Sequence, residues 1–265
     1  MKELHEIHRR RKCRCTHRID GHLVGNNYNQ RGVFPVKKTL TVLLVLALAV
    51  VTFAAPQLIY EANFNKTDGK NVDWVPVNGD WDIDGEYMVQ YDLNDGNTNI
   101  WQELAQYGDG LFIYEYKITY DVAGGQWAPA AGLHFMASDG DAPQRGNSYL
   151  VFQDLNEMQL YRCEGGGIVA VQLTGMDPAI VGQTNVIRVE FETITGRIAV
   201  FLNDRLVIEW FDDYPILDGD FISLRTNQTA VRYDYVKVWY QKMQLSFRPC
   251  EKQGLFLCPA PLACF

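Results

Sequence analysis

Two glutamates on one predicted strand have the spacing that best suits bond cleavage. Glu190 and Glu192 stand two residues apart in RVEFE, which puts both carboxylates on one side of a strand, about 6.5 Å apart at the backbone. Retaining glycosidases use carboxyl groups about 5 Å apart, so the spacing permits that chemistry. The two acids also alternate with Ile187, Val189 and Phe191, as polar residues do on any half-exposed strand. We therefore predict a solvated face rather than a catalytic pair.

The acidic segment DWDIDG has the opening pattern of a calcium-binding loop. Asp80, Asp82 and Asp84 occupy its first, third and fifth positions, and Gly85 occupies the sixth. Position twelve requires a bidentate acid but holds Tyr91, so the EF-hand pattern fails. The alternative is a β-hairpin that turns at Asp84 and Gly85. We favour the hairpin.

The histidine and motif content excludes several enzyme classes. Four of the five histidines lie before residue 55, which leaves His134. Residues 55–265 of one chain therefore cannot assemble a zinc site from two or three histidines, and any Ser-His-Asp machinery there would have to use His134. No GxSxG, HExxH, Walker or GxGxxG pattern supports such chemistry.

Residues 36–54 have the composition of a secretory signal peptide. Lys37 and Lys38 precede an apolar run over residues 40–53, and small residues follow. We predict cleavage after Ala54, because Thr52 then stands three positions back. A retained membrane anchor is the alternative, but the run falls short of the roughly 20 residues that a spanning helix needs. Export to the periplasm or the cell exterior follows, and we predict that residues 1–35 are a non-native or disordered basic extension.

The charge balance changes after the signal peptide. Residues 55–265 keep 29 of the 32 acidic residues but only 14 of the 24 lysines and arginines. Such an acidic surface repels phosphate backbones, so nucleic acid is not an expected partner. It suits a neutral ligand or a cation, and membrane contact is expected only through an uncleaved signal segment.

The cysteines fall into separate groups along the chain. Cys163 lies in a strand-like run, where we predict a buried free thiol. Cys250, Cys258 and Cys264 crowd the tail of residues 242–265, and their spacing matches no zinc motif. Neither the disulfide pairing nor the structure of this tail follows from the sequence.

The chain from residue 58 to residue 240 is typical of short strands separated by glycine and aspartate turns. Strand-like runs cover residues 110–120, 131–137, 148–153 and 159–163. Residues 185–211 form a three-stranded meander with turns at Thr195-Gly196 and Asn203-Asp204, and the runs 221–225 and 231–240 close the domain. We predict an all-β domain over residues 55–241, built as a two-sheet antiparallel sandwich.

Four stretches carry a resemblance to a known family. They are FNKTDGKNVDWVPVNGDWDIDGEYMVQYD, GLHF with YLVFQDLNEMQLYR, NVIRVEFETITGRIAVFLNDRLVIEW and GDFISLRTNQTAVRYDYVKVWY. They resemble the concanavalin A-like lectin and glucanase superfamily, and within it the laminin-G-like and 3-keto-disaccharide-hydrolase-like domains of secreted bacterial proteins. The resemblance covers residues 58–240 and implies a jelly-roll sandwich. The Glu-Asp-Glu strand signature of the glucanases is missing, so function has to be argued from a site.

The resemblance assigns the middle strands to a concave, ligand-binding sheet and the meander to the convex sheet. Sugar recognition needs flat rings with amide, guanidinium or carboxylate groups. Residues of these kinds on or beside the concave sheet are Trp101, Trp127, His134, Tyr149, Gln153, Tyr161 and Arg162. Alternation places Tyr149 and Gln153 on one face, and it turns His134 away from the core towards the groove. Glu103 and Asp154 are the acids nearest this face, without a catalytic motif around them.

The superfamily also suggests a structural calcium that joins the first strand to the last. The matching positions in this sequence are Asn63, Asp80 and Asp234. An acid is more usual at the position that Asn63 occupies.

These observations predict an exported jelly-roll domain that recognises an oligo- or polysaccharide on its concave sheet. One alternative is a glycoside-cleaving enzyme of the 3-keto-disaccharide-hydrolase-like or glucanase-like kind. A second alternative is an adhesive or structural laminin-G-like module that binds a protein. The sequence does not define the sugar, the linkage or the oligomeric state.

Overall fold

The structure is a computed structural model that describes residues 55–65 and 73–243. The predicted extension 1–35, the signal peptide 36–54 and all of the tail beyond residue 243 lie outside these residues, with the cysteines of both ends. Within the two described ranges, no helix is long and apolar enough to span a membrane.

The described chain forms two antiparallel sheets with one short 3₁₀ helix, Pro143–Arg145. The strands of the eight-stranded sheet are β1 (Gln57–Ala62), β3 (Trp81–Asp84), β4 (Tyr87–Gln90), β6 (Gly110–Ala123), β11 (Thr184–Glu192), β12 (Arg197–Leu202), β13 (Arg205–Phe211) and β15 (Thr229–Lys242). The strands of the seven-stranded sheet are β2 (Val75–Asn78), β5 (Thr98–Tyr107), β7 (Ala131–Ala137), β8 (Ser148–Gln153), β9 (Met158–Glu164), β10 (Gly167–Leu173) and β14 (Asp218–Thr226).

Most neighbouring strands are distant in sequence, as a jelly roll requires. The eight-stranded order is β13-β12-β11-β6-β15-β4-β3, with β1 also paired to β15, and the seven-stranded order is β10-β9-β8-β7-β14-β5-β2. The first strand therefore pairs with the last, because β15 is long enough to hold β4 at one end and β1 at the other.

Alternation along the strands sends one set of side chains between the sheets. Residues of β6 alternate between buried and partly exposed over most of the strand. The buried set is Phe112, Tyr114, Tyr116, Ile118 and Tyr120. Aromatic and β-branched residues favour such a pleated, half-buried strand, and burying each large side chain contributes roughly 1.5–3 kcal/mol.

The core is rich in tyrosines, whose hydroxyl groups need partners when they are buried. Tyr114 donates to Gln106 Oε1 at 2.8 Å, and Tyr120 donates to Gln153 Oε1 at 3.0 Å. These glutamines are buried with the tyrosines. Polar side chains inside this sandwich therefore serve the packing of its aromatic core.

The predicted architecture is confirmed. Strands 131–137, 148–153 and 197–202 form with the predicted bounds, and most other predicted strands are longer by one to three residues at an end. The DWDIDG segment forms the predicted hairpin of β3 and β4, with Gly85 at a positive φ of 65°. Cys163 is buried and free, as predicted. Strands β1, β2, β5 and β10 fall outside the predicted runs.

Candidate functional site

The outer face of the seven-stranded sheet carries a mixture of aromatic, apolar and polar side chains. In β8, Tyr149 and Val151 belong to the core between the sheets, whereas Leu150 and Phe152 form a separate cluster with Ala130 on the outer side. The predicted sharing of faces in SYLVFQ is therefore correct. Which face points outward is the reverse of the prediction.

The correction concerns two predicted sugar-binding residues. Tyr149 is fully buried, and its hydroxyl donates to Asp212 Oδ2 at 2.6 Å. Gln153 is also buried, where it accepts the Tyr120 hydroxyl and donates to the carbonyl oxygen of Asp177 at 2.9 Å. Both side chains point into the core, because the core offers them hydrogen-bond partners that satisfy their polar groups.

His134 lies on the outer side of β7 as predicted, but it is fully buried there. Its Nδ1 lies 3.1 Å from Ser148 Oγ, and its Nε2 has no partner. Burial lowers the pKa of His134 well below its usual value, and the nearby charges of Arg225 and Arg145 lower it further. This imidazole is therefore neutral near neutral pH.

Residues 138–147, which we call the covering loop, fold over this half of the face. Ser148 Oγ donates to the carbonyl oxygen of Gln144 at 2.6 Å. Trp101 Nε1 donates to Asp141 Oδ1 at 3.0 Å, and a Cβ at Gly140 would lie 2.6 Å from the indole ring. The covering loop thus packs on the indole ring of Trp101, which was predicted to bind a sugar.

The other half of the face has a cavity of about 180 Å³, which we call the open cavity. Its lining residues are Trp127, Ala130, Leu150, Phe152, Asp154, Gln159, Tyr161, Ile168, Arg225 and Asn227. The Trp127 side chain, between β6 and β7, is 59% exposed. Two predicted binding residues, Trp127 and Tyr161, therefore come together with one predicted catalytic acid, Asp154.

The acid in the open cavity is engaged in local hydrogen bonds. Asp154 Oδ1 accepts the backbone N–H groups of Asn156 and Glu157 at 2.8 and 2.9 Å. Its Oδ2 accepts Gln159 Nε2 at 2.9 Å, and Gln159 in turn accepts the Tyr161 hydroxyl. The second predicted acid, Glu103, lies on β5 outside the lining of this cavity. The structure thus does not bring the two acids together in one cavity.

Arg225 separates the open cavity from the covering loop. One of its terminal nitrogens donates to Gln144 Oε1, and its guanidinium carbon lies 5.6 Å from the Phe152 ring centroid. Burial lowers the pKa of Arg225. Its Nε and the Oδ1 of Asn227 are buried without a hydrogen-bond partner in the described part of the chain.

Arg162 takes part in another cavity. Its guanidinium forms ion pairs with Glu164 and, at 2.7 Å, with Asp212 Oδ2. It borders a larger cavity of about 660 Å³ with Tyr107 at the end of β5 and Asp109 in the turn before β6. Arg162 thus lies outside the lining of the open cavity, and it shares Asp212 Oδ2 with Tyr149, its partner across β8 and β9.

The predicted calcium positions are only partly brought together. Asn63 and Asp234 border one cavity of about 290 Å³, and Asp80 is outside its lining. Asp234 also forms an ion pair with Lys117 at 3.0 Å. Over residues 55–65 and 73–243, no group of three or more His, Cys, Asp or Glu is placed to hold a metal ion. Calcium binding stays a prediction.

The spaced pair of glutamates belongs to a network of ion pairs on the eight-stranded sheet. Glu190 contacts Arg188 and lies 3.7 Å from Arg197, while Glu192 accepts the Thr195 hydroxyl at 2.9 Å. These contacts agree with the predicted solvated face.

Comparison with solved structures finds lectin-like sandwiches. A carbohydrate-binding module from Bacillus subtilis is 27% identical, with 60% of this chain and 91% of that chain covered and a TM-score of 0.47. A Bacillus subtilis protein with a galectin-like fold is 13% identical over 72% of this chain and 100% of that chain, with a TM-score of 0.53. The metal-free carbohydrate recognition domain of Emp46p is 10% identical over 68% and 95%, with a TM-score of 0.53. No protein-family model and no curated protein sequence matches. The latter two likenesses confirm the predicted concanavalin A-like fold.

Sequence reasoning missed seven of the ten residues that line the open cavity, among them Phe152, Arg225 and Asn227. A signal for Arg225 was present, because FISLRT alternates and places Arg225 on the face opposite Ile222 and Leu224. The signal for Phe152 was ambiguous, because both faces of β8 carry aromatic residues.

Proposed function

We propose that the open cavity binds a saccharide. The observation that carries the proposal is the exposed Trp127 ring beside a cavity that also holds Tyr161 and Phe152. Flat aromatic rings pack against the CH faces of sugars. This leaves the sugar hydroxyl groups free to form hydrogen bonds with polar side chains. A large indole kept in solvent next to polar groups is suited to this contact.

The polar groups of the cavity complement sugar hydroxyls. Asn227 Oδ1 is an acceptor and Arg225 Nε is a donor, and neither has a partner among the described residues. A ligand hydroxyl would reach these buried atoms after a shift of their side chains, and bonding either one would remove the cost of leaving it unsatisfied. The volume of about 180 Å³ is below the roughly 300–1,000 Å³ of cavities for drug-sized ligands. We therefore propose that one sugar ring of the bound saccharide enters the cavity.

Recognition without cleavage is the better-supported activity. The two oxygens of Asp154 already accept three hydrogen bonds that shape its loop. Glu103 lies outside the cavity lining. A retaining glycosidase needs two carboxyl groups about 5 Å apart on either side of the bond, and these contacts favour a binding role for the cavity instead.

We also propose that the protein acts outside the cytoplasm. The support is the signal-like composition of residues 36–54, with two lysines before an apolar run. Extracellular and periplasmic polysaccharides are then the accessible ligands.

The first prediction concerns Trp127→Ala in the full chain. We expect saturable binding of at least one saccharide on a glycan array, and we expect the affinity measured by calorimetry to fall about tenfold or more, as when a stacked aromatic anchor is truncated. The matched control is Tyr214→Ala, because Tyr214 is 80% exposed and lies outside the open cavity.

Three outcomes would contradict the proposal. Equal loss of affinity in both variants, or binding unaffected by Trp127→Ala, would place the ligand elsewhere on the surface. Release of reducing sugar that depends on Asp154 would instead establish cleavage as the activity.

A further inference from the structure

The arginines of the described chain divide into two groups by their partners. Seven arginines lie in residues 55–65 and 73–243. Five of them form ion pairs with carboxylates, namely Arg162, Arg188, Arg197, Arg205 and Arg232. The remaining two, Arg145 and Arg225, have no ion-pair partner within the described ranges. Arg225 lies on β14 and lines the open cavity, whereas Arg145 belongs to the covering loop that packs on the same face.

These two guanidinium groups are also the ones that burial affects most. Arg145 is 3% exposed, and burial lowers the pKa of both Arg145 and Arg225. Each has a buried Nε without a hydrogen-bond partner in the described structure. A buried charge is costly unless it is paired. A counter-charge at this position would therefore be stabilising.

None of the charged groups described around Arg145 and Arg225 neutralises the two guanidinium groups, so an anion could serve as their counter-charge. Asp139 and Asp141 attract Arg145 from within the covering loop but form no ion pair with it. Arg145 repels Arg225, which faces Tyr161 and the neutral thiol of Cys163. Asp154 borders the cavity, but its oxygens are engaged by Asn156, Glu157 and Gln159.

We propose that the saccharide bound in the open cavity is acidic, and that Arg225 receives its carboxylate. The ligand class is a hexuronate, in which the carboxylate is attached directly to the ring that packs on Trp127. The planar guanidinium fork matches a carboxylate with two hydrogen bonds. The cation–π contact of Arg225 with Phe152, at 5.6 Å from the ring centroid, lies beside the cavity that both residues line. This inference rests on the proposed function and adds the chemical class of the ligand.

The net charge of the protein does not prevent this recognition. The full chain carries a net charge of −8, and residues 55–265, with 14 basic and 29 acidic residues, carry −15. This charge repels anions at long range, but salt screens the repulsion beyond roughly 8–10 Å. At contact distance the partly desolvated Arg225 dominates. The inference therefore predicts a specific site for one carboxylate rather than general affinity for polyanions.

The test compares three probes on the full chain by calorimetry. They are oligogalacturonate, the same oligomer with its carboxyl groups reduced to neutral galactose, and a sulfated neutral oligosaccharide. A panel with glucuronate and mannuronate oligomers covers the other hexuronates. We expect at least one hexuronate oligomer to bind about tenfold or more tightly than its carboxyl-reduced form, as a lost charge-assisted pair predicts. The sulfated probe should bind more weakly than that hexuronate.

Variants then assign the preference to Arg225. Arg225→Gln should remove the preference for the hexuronate, and Arg225→Lys should restore only part of it because it lacks the planar fork. Arg232→Gln is the matched control, since it removes an equal charge from the other sheet and should leave the preference unchanged.

The outcomes separate this inference from the proposed function. Equal affinity for the hexuronate and its carboxyl-reduced form would overturn the acidic class and leave saccharide binding at Trp127 intact. Stronger binding of the sulfated probe would overturn the carboxylate. Failure of every saccharide in the panel would overturn both proposals. The comparison of oligomers needs only the unmodified protein, so it decides the question even where Arg225→Gln fails to fold.

Discussion

The outer faces of the two sheets differ in whether their charged side chains form ion pairs. On the eight-stranded sheet, Arg232 forms a two-point ion pair with Asp121 at 2.8 Å, and Lys117 lies 3.0 Å from Asp234. On the outer side of the seven-stranded sheet, Arg225 of β14 and Arg145 of the covering loop have no such partner in the described chain. The first face satisfies its own charges in solvent. The second holds two guanidinium groups without a carboxylate partner among the described residues, and this contrast is the reason why we propose it as the binding side.

The seven-stranded face is itself divided. One half is closed by the covering loop, which covers the buried His134 and packs through Gly140 on the partly exposed ring of Trp101. The other half stays open at Trp127. Residue types suited to sugars occur in both halves, so the position of the loop, rather than the chemistry of the side chains, decides which of them a ligand reaches.

The largest loss of stability is expected at Gly132, where the seven-stranded sheet beneath both halves of the face has no space for a side chain. A Cβ at Gly132 would lie well inside contact distance of the Val151 carbonyl oxygen and 2.9 Å from Phe152 Cα. Gly132→Ala should therefore separate β7 from β8 and lower the free energy of unfolding by about 3 kcal/mol, the upper range for overpacking. Urea unfolding measures the change.

The control for this prediction lies on the same sheet. A Cβ at Gly167 would meet only the Glu164 carbonyl oxygen at 3.6 Å, which is ordinary contact. Gly167→Ala should change stability by less than about 0.5 kcal/mol. Similar losses of stability in the two variants would show that the close approach of β7 and β8 at Gly132 is not the cause of the destabilisation.

A smaller effect is expected from His134, and it depends on pH. Its pKa is lowered in the folded protein, so the unfolded chain binds more protons. Stability is therefore complete above the unfolded pKa of about 6.5 and falls as pH drops below it, by at most about 1.4 kcal/mol per pH unit. Urea unfolding at pH 7.5 and 5.5 should show a larger loss for the unmodified protein than for His134→Gln.

The closed half of the face is what this experiment examines. If the covering loop opened readily, His134 would titrate in solvent and the two proteins would lose equal stability on acidification. A difference between them that survives 0.5 M NaCl would show that the burial of His134, and not only the nearby arginine charges, holds its pKa down, since salt screens charges in solvent.

Alternation was sufficient to predict the sheets but not the site. A period of two fixes which residues share a face, and the bounds of β7, β8 and β12 follow from it. It does not decide which face is inner where both are apolar, as at Tyr149 and Phe152. The core accepts Tyr149 because Asp212, far away in sequence, receives its hydroxyl.

The covering loop was beyond prediction for a different reason. Residues 138–147 have no hydrophobic period, and their place over Trp101 depends on a close approach that Gly140 permits. Arg225 could be assigned to an outward position from FISLRT alone. That it lacks a carboxylate partner is a property of the assembled sheet, because ion pairs join residues that are far apart in sequence, as Arg232 and Asp121 are.

The smallest expected effect bears directly on the comparison of the two faces. Arg232→Met should lower the free energy of unfolding by about 0.2–1 kcal/mol, because its ion pair is partly exposed and screened by solvent. Arg225→Met should leave stability unchanged or raise it in the absence of ligand, since an apolar side chain replaces a charge that is buried without a partner. Urea unfolding at low and high salt measures both, and the loss in Arg232→Met should shrink in 1 M NaCl. A larger destabilisation in Arg225→Met than in Arg232→Met would mean that the hydrogen bond to Gln144 and the Phe152 contact outweigh the unpaired charge. Arg225 would then be a structural residue of the covering loop, and the contrast between the two faces would no longer indicate a ligand.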